Sequence, residues 1–396
     1  MTLRLLSLAT LYPAPPRPGF GRFVQNQMEG LARRGDWEVT VINPIGLPPL
    51  LPLQRYAALR TIPAVEHSGG VTVYHPRFAL IPGLSGRFNP LLIARAVLPL
   101  VRRLHAERPF DMVDAQFFYP DGPAAARIAR ALNLPLAIKA RGGDILYWGT
   151  RPAALAQIRA AADQARVLLS VSAALARDMV ALGLPEERMQ VHYTGLDHSR
   201  FYPRPRDDAR RALAERLPAL AIPATARIVA SVGALIAIKG QALAIEALRD
   251  LPDDVVLVLV GAGPDDAALR QQVARAGLDA RVRFAGSLGH DDLPLLLSAA
   301  EAMVLASERE GIANAWIEAL ASGAPLVIPD VGGAREVIDR PAAGRLVARE
   351  PAAIAQGLRD VLDAQFDPAE VAAVAARFTW DTNAARLAEI YRAAIG

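Results

Sequence analysis

The sequence predicts an α/β protein built from two Rossmann-like, doubly wound domains, and three observations support this fold class. With 396 residues, the chain exceeds the length that one hydrophobic core usually serves, so two domains are expected. Strand and helix patterns alternate along it, which is typical of a parallel sheet with helices on both faces. The alternation begins again at an apolar strand over residues 228–232.

The first half contains the elements of one such domain. They are, in order, a strand at 3–10, a Pro/Gly-rich loop at 13–21, a helix at 23–34, a strand at 37–43, an irregular Pro-rich excursion at 44–70, a helix at 90–107, a strand at 112–118, an ordinary turn at Asp121-Gly122, a helix at 124–132, and strands at 136–140 and 167–172, the last followed by a helix at 173–182. The helix at 90–107 is basic and amphipathic, and we expect its apolar side to be buried against the sheet.

The second half follows the same plan after a loop-rich stretch at 193–225. Its strands are predicted at 228–232, 255–260, 282–285, 302–306 and 325–329, and its helices at 241–248, 265–276, 291–299 and 313–322. We therefore place one domain at 1–194 and the other at 195–377, with a closing helix at 378–396.

Composition excludes several classes of protein. A hydrophobic content of 52% with 21% charged residues describes a globular chain. No apolar run approaches the roughly eighteen residues that span a bilayer, and the apolar start of the chain is interpreted as a buried strand rather than a signal peptide. The absence of cysteine excludes disulfides and thiolate metal sites and favours a cytoplasmic location.

Charge is distributed unevenly between the halves. Residues 1–190 contain 22 basic and 13 acidic side chains, and the remainder contains 22 and 27. The first half is therefore expected to meet an anionic partner. Nucleic acid is not expected, because no recognition motif accompanies the arginines; an anionic membrane surface, a phosphorylated acceptor and an evenly solvated surface remain open. Only Lys139 and Lys239 are lysines, so each occupies a place where arginine was not used.

Ligands of open α/β sheets bind at the carboxyl ends of strands, so the loops after strands hold the candidate residues. After the strand at 228–232, Gly233 opens a turn and Lys239 precedes a helix. This lysine is interpreted either as a phosphate ligand or as a solvated side chain. After the strand at 255–260, Gly261 and Gly263 either admit a ligand close to the backbone or form a plain turn.

The loop after the strand at 302–306 is the most informative. Glu310 precedes a helix whose start carries the small residues Gly311 and Ala313, which suits a diphosphate at the helix N-terminus. Glu318 follows eight residues later, and eight helical residues rise roughly 12 Å, comparable to the distance from a sugar across a diphosphate to a ribose. The alternative is a capping acid and a surface glutamate. An unpaired carboxylate in the apolar stretch around Glu318 would be expensive, which favours a functional role.

Two loops of the first half are further candidates. Gly19 and Gly21 follow the first strand and open a helix, either as a ligand-covering loop or as a turn. Arg141 follows the strand at 136–140 and either binds phosphate or acceptor or forms an ion pair with Asp144.

Together these segments resemble the retaining glycosyltransferases of family 4, which have the GT-B fold of two Rossmann-like domains facing a cleft. The similar motifs are E-x7-E at 310–318, Gly233 through Lys239-Gly240, the segments at 193–197, 260–264, 284–286 and 332–337, and the closing helix that begins after Phe378. Each motif is common alone, but their order and spacing are specific.

The resemblance implies a metal-independent enzyme of polysaccharide biosynthesis that needs no cofactor. Its first domain would bind a glycan, lipid-linked or small-molecule acceptor, with peripheral contact to an anionic membrane on the inner face, and its second domain a nucleoside diphosphate sugar. The helix at 378–396 would cross back onto the first domain.

Site residues carry over by the same resemblance. Lys239 would contact the diphosphate, Glu318 the ribose hydroxyls, and Glu310 the donor sugar. The donor contacts implied besides these are Gly233, Gly261, Gly263, Gly311, Ile312, Ala313 and Asn314, with Gly19 and Gly21 covering the diphosphate from the first domain. Lys239, Glu310 and Arg141 would form the catalytic group.

Two residues depart from the family pattern. Ala234 stands where the family often has an arginine, so that cation is either missing or supplied elsewhere, by Arg141 or Arg335. Arg141 itself stands where histidine is frequent, and arginine does not act as a general base. A sugar phosphorylase or epimerase and an inactive nucleotide-binding protein on the same fold remain alternatives. A nicotinamide oxidoreductase is disfavoured, because no G-x-G-x-x-G follows the first strand.

Overall fold

The computed structural model describes residues 2–49, 54–83, 85–289 and 291–396. The chain divides into two compact units, Met1–Gly195 with Trp380–Gly396 and Leu196–Thr379; we call these unit 1 and unit 2. The boundaries predicted from the sequence lay at 194/195 and 377/378. Each unit is a predominantly parallel sheet with helices, so the predicted fold class of two Rossmann-like halves is confirmed.

Unit 1 contains ten of the described strands. They are β1 Leu3–Leu8, β2 Trp37–Ile42, β3 Ile45–Leu47, β4 Val65–Ser68, β5 Val71–Tyr74, β6 Arg77–Ala79, β7 Met112–Ala115, β8 Leu136–Ala140, β9 Val167–Ser170 and β10 Met189–Val191. Eight of them form one sheet in the order β10-β9-β8-β7-β1-β2-β5-β4. Every pairing in that sheet is parallel except β4 with β5, which places an antiparallel strand at one edge.

The helices of unit 1 connect and cover these strands. They are α1 Arg22–Arg33, α2 Ala57–Arg60, α3 Asn89–Glu107, α4 Asp121–Leu132, α5 Gly143–Leu146, α6 Pro152–Ala162, α7 Ala173–Ala181 and, from the end of the chain, α16 Trp380–Ile395. Helix α16 packs on α1, and Leu387 and Tyr391 of α16 are buried in the same core as Val24 and Met28 of α1. The last helix of the sequence is thus an integral part of unit 1.

The prediction of an irregular excursion at 44–70 is wrong in part. The structure forms β3, α2 and β4 there, while residues 50–53 lie outside the described residues. Strand β4 has the sequence VEHS and is mostly exposed, so it lacks the apolar alternation that marks a strand. Its conformation comes from backbone pairing with β5, which is a tertiary cause that a local pattern does not contain.

Helix α3 confirms the expected burial of its apolar side. Ile93, Val97 and Val101 are spaced four residues apart and are fully buried in the unit 1 core, as a helical stripe facing a sheet should be. Arg95 and Arg102 are exposed. Within the described ranges, no helix has the length and apolar character needed to cross a membrane.

Unit 2 has a fully parallel six-stranded sheet in the order β13-β12-β11-β14-β15-β16. Its strands are β11 Arg227–Val232, β12 Val255–Val260, β13 Val282–Gly286, β14 Ala302–Val304, β15 Leu326–Pro329 and β16 Gly344–Val347. Strand β12, with the sequence VVLVLV, is buried at every residue, as expected for a strand covered on both faces.

The helices of unit 2 include some that were not predicted. The full set is α8 Arg206–Arg216, α9 Gln241–Ala247, α10 Asp266–Ala276, α11 Asp292–Ala299, α12 Asn314–Ala321, α13 Ala334–Val337, α14 Pro351–Ala364 and α15 Pro368–Ala375. Helix α8 lies in the stretch predicted to be loop-rich. It buries only Ala209 and Leu213, which leaves too short an apolar stripe for the pattern to show.

Candidate functional site

The strand order of unit 2 reverses at β11, which has β12 on one side and β14 on the other. At such a switch point the loops leaving the two adjacent strands diverge and leave a crevice for a ligand. Lys239 lies in the loop after β11 and Glu310 in the loop after β14. Their side chains form an ion pair from Nζ to Oε1, with 23% and 12% of the side-chain surface exposed. The structure thus joins two residues that the sequence analysis had placed in separate loops.

Glu310 has a second partner in its own loop. The Ser307 hydroxyl donates to the same Oε1 atom at 2.8 Å, and Ser307 is fully buried. The carboxylate is therefore held between a cation and a hydroxyl at the surface of the crevice. Sequence reasoning missed Ser307, whose only signal is its place directly after an apolar strand.

The glycines in these loops are needed for contacts between loops. Gly240 has φ of +70°, and a Cβ there would lie 2.1 Å from the Ala306 carbonyl oxygen. Gly261 has φ of +136°, and its Cβ would lie 2.0 Å from the Gly233 carbonyl oxygen. At these two positions the absent side chain lets backbone approach backbone, which differs from the ligand approach considered for Gly261.

Helix α12 begins at Asn314, so Glu310 lies in a loop rather than at the helix start. The separation of roughly 12 Å expected between Glu310 and Glu318 assumed eight helical residues; only the part from Asn314 onward is helical. Ala313 occupies the N-cap position and makes no side-chain cap. Alanine has no side-chain oxygen that could accept hydrogen bonds from the first backbone N–H groups of the helix. This favours an external acceptor such as phosphate.

Glu318 lies in the second turn of α12 and is half-buried. Burial raises the pKa of its carboxyl group to about 7, and the positive charge of Arg200 opposes that rise. Near neutral pH the protonated and ionised forms of this side chain are therefore both populated in the absence of a ligand. This agrees with the expectation that an acid in this apolar stretch is costly.

Arg335, considered as an alternative cation, is engaged elsewhere. Its Nε donates to Asp330 Oδ2 at 2.9 Å, and the pair is well exposed. The loop that carries it still reaches the candidate site, because the Gly333 amide donates to the Gly311 carbonyl oxygen at 2.7 Å.

In unit 1, Arg141 follows β8 at the carboxyl edge of the sheet. Its guanidinium donates to the Gln116 side chain, to the Gln116 carbonyl oxygen at 3.3 Å and to Gln27 Oε1 at 3.2 Å, and it lies 5.0 Å from the centre of the Phe23 ring. Burial lowers the pKa of Arg141 to about 10, so it stays charged at neutral pH.

Asp144 does not neutralise that guanidinium through a side-chain ion pair. Its carboxylate accepts backbone N–H groups from Phe118 at 2.7 Å, Gly142 at 2.9 Å and Arg141 at 3.0 Å. The ion pair between the two side chains, one of the two alternatives considered for Arg141, is thus not formed, and the Asp144 carboxylate instead fixes the backbone of the loop. Burial raises the pKa of Asp144, and these backbone hydrogen bonds lower it in part.

A buried polar network adjoins Arg141 and was missed by sequence reasoning. Lys139 is 1% exposed, and its Nζ donates to Gln27 Oε1 at 2.8 Å and lies 2.5 Å from His192 Nδ1. His192 Nε2 lies 2.9 Å from the Asn383 carbonyl oxygen. Burial lowers the pKa of both Lys139 and His192 well below their usual values, which favours their neutral forms. The available signal was a lone lysine inside the apolar strand LAIKA.

Asp121 is the first residue of α4, and its interpretation as an ordinary turn is wrong. Its carboxylate accepts the Thr10 amide at 3.0 Å and the Thr10 hydroxyl at 2.7 Å. Burial raises the pKa of Asp121 to about 7, with the charges of Asp144 and Asp114 adding to the effect. The Asp-Gly pair is common in turns, and the long-range contact with Thr10 cannot be seen locally.

Thr10 begins the loop that carries the candidate residues Gly19 and Gly21. A Cβ added at Gly19 would have no heavy atom within 4 Å, whereas Gly21 has φ of +74° and a Cβ there would lie 2.5 Å from the Leu11 carbonyl carbon. Gly21 therefore serves the turn into α1, and Gly19 has an open surround. In the described part of the chain, no three His, Cys, Asp or Glu side chains form a group suited to a metal ion.

Two family models match most of the chain. The model described as glycosyl transferases group 1 matches residues 215–378, and the model described as a glycosyl transferase 4-like domain matches residues 19–195. The first match includes Lys239, Glu310 and Glu318, and the second includes Arg141.

Individual proteins are similar over nearly the whole length. The chain is 28% identical over 337 residues to TuaC of Bacillus subtilis, named as a putative teichuronic acid biosynthesis glycosyltransferase, with 84% of this chain and 82% of that protein covered. It is 28% identical over 347 residues to the GDP-mannose-dependent alpha-(1-6)-phosphatidylinositol monomannoside mannosyltransferase of Mycobacterium tuberculosis, with 83% and 85% covered. Among solved structures, Anabaena HepE in complex with UDP and glucose has a TM-score of 0.72 at 23% identity, covering 99% of this chain and all of that one.

Proposed function

We infer that this chain, which belongs to the group 1 glycosyltransferases with the GT-B fold, moves a sugar from a nucleoside diphosphate sugar to an acceptor hydroxyl with retention at the anomeric carbon. The observation that carries the proposal is the Lys239–Glu310 pair at the switch point of unit 2. It places a cation and a carboxylate beside an uncapped helix start, where a diphosphate sugar needs both.

The leaving group explains the cation. When the bond between the anomeric carbon and the phosphate oxygen breaks, that oxygen gains negative charge. Lys239 and the first amides of α12 stabilise this charge, which lowers the barrier because they are already oriented. Ala234 provides no second cation from the same loop, so the charge rests mainly on Lys239.

Glu310 changes partner in this scheme. Without donor it accepts from Lys239 and from Ser307. A diphosphate competes for the lysine, and the carboxylate then accepts from hydroxyls of the donor sugar. The Ser307 hydroxyl keeps Glu310 oriented while this exchange takes place.

Glu318 binds the ribose. A carboxylate accepts hydrogen bonds from both ribose hydroxyls in a geometry that a protonated acid does not offer. Because burial raises its pKa to about 7, ribose binding favours the ionised form. The names of the similar proteins include both GDP-mannose and UDP, so the screen described below includes both nucleotide bases.

Unit 1 binds the acceptor, which we propose to be a glycan or lipid-linked sugar. Arg141 stands at the carboxyl edge of its sheet, where ligands of such sheets bind. Contact with an anionic membrane would depend on exposed arginines such as Arg95 and Arg102 of α3, since the apolar side of that helix is buried. We further propose that transfer needs no metal or other cofactor, since Lys239 and the amides carry the leaving-group charge.

A thermal-shift screen against UDP, GDP, ADP and their sugars tests the donor site. A ligand that binds only the folded state must raise the melting temperature, and we expect one nucleotide to do so. Glu318→Ala should reduce that rise, while Glu246→Ala, which changes a partly exposed acid paired with Arg249, should retain it in full. No rise with any of the nucleotides in the wild-type protein would contradict the proposal.

A further inference from the structure

Unit 1 carries a surface of aromatic and arginine side chains that the donor chemistry does not use. Phe88 is 47% exposed and Tyr147 is 45% exposed. Next to them in the sequence are the exposed Arg87 and the half-buried Trp148, and the exposed Arg151 follows four residues after Tyr147. We call these five residues the aromatic–arginine surface.

The rings and guanidinium groups lie in contact with one another. The Tyr147 and Trp148 rings are 5.1 Å apart and meet at 86°. The Arg151 guanidinium lies 3.9 Å from the Tyr147 ring centre and 5.5 Å from that of Trp148. Arg87 covers the Phe88 ring at 4.6 Å. Two exposed aromatic–arginine pairs therefore come from two segments of unit 1: Arg87 with Phe88, and Arg151 with Tyr147.

Contacts with neighbouring residues hold this surface in place. The Trp148 ring packs on Tyr119 at 4.6 Å, and the Tyr119 hydroxyl donates to the Gly86 carbonyl oxygen at 2.8 Å. Gln157 of α6 donates to the Arg87 carbonyl oxygen at 3.0 Å. These contacts join the segments that carry the two pairs, so the rings are pre-organised and lose little freedom when a ligand binds.

Part of this surface and the supporting Tyr119 are carried by loops that leave the carboxyl ends of β8 and β7. Tyr119 lies in the loop after β7, and Tyr147 and Trp148 follow β8 by way of the one-turn helix α5. Tyr147 is six residues beyond Arg141 in the sequence. Carboxyl ends of parallel strands are where open α/β sheets bind their ligands.

We propose that the aromatic–arginine surface binds the acceptor as a sugar ring that carries a phosphate or carboxylate group. The C–H face of a sugar ring stacks on an aromatic face, which is electron-rich. A guanidinium stacked on a ring keeps N–H donors along its edge, and these pair with an anion in a bidentate manner. Unit 1 has more basic than acidic residues, 24 against 15, whereas unit 2 has 20 against 25, and this positive charge attracts such an acceptor. This inference rests on the proposed transferase function and specifies its acceptor.

Direct binding to the full chain tests the surface without requiring turnover. The probes are glucose 6-phosphate and glucuronate, with neutral glucose as one reference, and their binding is followed by saturation-transfer NMR. Inorganic phosphate, which has no carbon-bound protons to observe, is the second reference and is measured by its competition with the bound sugars. We expect both anionic sugars, or one of them, to bind at least fivefold more tightly than either reference. The anionic sugar that binds more tightly shows whether the acceptor carries a phosphate or a carboxylate group.

Variants separate the two parts of the surface. Tyr147→Ala should weaken binding of the anionic sugars at least fivefold. Tyr147→Phe should weaken it less, because the ring remains and only the hydroxyl that accepts from Arg151 is lost. Arg151→Gln should remove the preference for the anionic sugar over glucose. The matched control is Tyr202→Ala in unit 2, because Tyr202 is 43% exposed and has Arg204 at 4.0 Å over its ring; it should leave binding unchanged.

Several results would overturn the proposal. They are equal binding of inorganic phosphate and anionic sugars, an equal effect of Tyr147→Ala and Tyr202→Ala, and pelleting with phosphatidylglycerol vesicles that Tyr147→Ala abolishes, which would assign the surface to lipid. The nucleotide thermal shift is recorded on the same samples. A retained nucleotide shift with failed sugar binding sinks only this inference, whereas a missing nucleotide shift sinks the proposed function.

Discussion

The carboxyl edges of the two sheets are built differently. In unit 1 the edge is filled by buried ionisable groups, including Lys139, Asp114, Asp121 and His192. In unit 2 the corresponding edge is formed by glycine-containing loops in close backbone contact, with Lys239 and Glu310 paired at the surface. The polar groups of the first arrangement are paired and buried, and those of the second are paired and partly exposed.

The difference follows from the cost of burying charge. A buried polar group is tolerated only when its partners are fixed, so the unit 1 network gives a rigid support for Arg141. A partly exposed pair is weak by itself and can exchange partners at small cost. Donor chemistry is therefore expected to depend on single residues of unit 2, and stability on the network of unit 1.

Lys239→Ala should have the largest effect. Loss of a pre-oriented cation from a developing anion costs about 2–4 kcal/mol, or roughly 30- to 1000-fold in kcat. Arg249→Ala, which removes an exposed cation of the same unit, is the control in steady-state assays. If Lys239→Ala retained a rate within threefold of the wild type, the cation would have to be Arg141 or Arg335.

Replacing Glu310 should mainly lower turnover, whereas replacing Glu318 should mainly lower nucleotide affinity. Glu310→Ala should lose turnover with little change in nucleotide affinity, because it acts on the sugar. Glu318→Ala should weaken nucleotide binding by roughly tenfold, the value of one hydrogen-bonded pair of about 1–2 kcal/mol. Calorimetric titration of the nucleoside diphosphate, together with kcat, separates the effects; unchanged affinity and rate in both variants would refute the donor site.

The pH dependence of nucleotide binding should locate the same acid. The pKa of Glu318 is raised to about 7, so the carboxylate needed for the ribose is present above pH 7 and is lost as the pH falls below it. Affinity should fall as the pH drops below 7, by about tenfold in total, which is the loss expected for Glu318→Ala. Glu318→Gln should remove this dependence, and a variant that kept it would assign the titration to another group.

Unit 1 should instead show a pH effect on stability. The pKa of His192 is lowered in the folded state; its unfolded form gains a proton below about pH 6.5, so stability falls as pH decreases, by at most about 1.4 kcal/mol per unit. The raised pKa of Asp121 acts in the opposite direction. Hydrogen exchange of unit 1 peptides in wild type and His192→Gln isolates the histidine: the variant should lose this acid sensitivity, and equal sensitivity would exclude it.

Chelation should have the smallest effect. Because Lys239 and the amides of α12 are proposed to carry the leaving-group charge, EDTA should leave the rate of sugar transfer unchanged. A lost rate that magnesium or manganese restores would show that unit 2 needs a metal there. Dialysed protein without added metal is the reference sample.

The sequence by itself determined the two-domain α/β architecture, because buried parallel strands such as β12 require apolar runs and the crossover helices require amphipathic ones. It also indicated the candidate donor-site residues, since glycine, lysine and glutamate follow strands in an order and spacing that resemble the family's. These signals are local, and a single segment of sequence contains each of them.

Only the tertiary structure decided which of these residues meet. The contact of Lys239 with Glu310 spans 71 positions, and that of Asp121 with Thr10 spans 111. Strand β4 depends on its neighbour β5, and Lys139 depends on Gln27 and His192 from other elements. Such pairs arise because a parallel sheet brings the ends of distant strands to one edge, where burial determines whether a polar side chain becomes a support or a site for ligand.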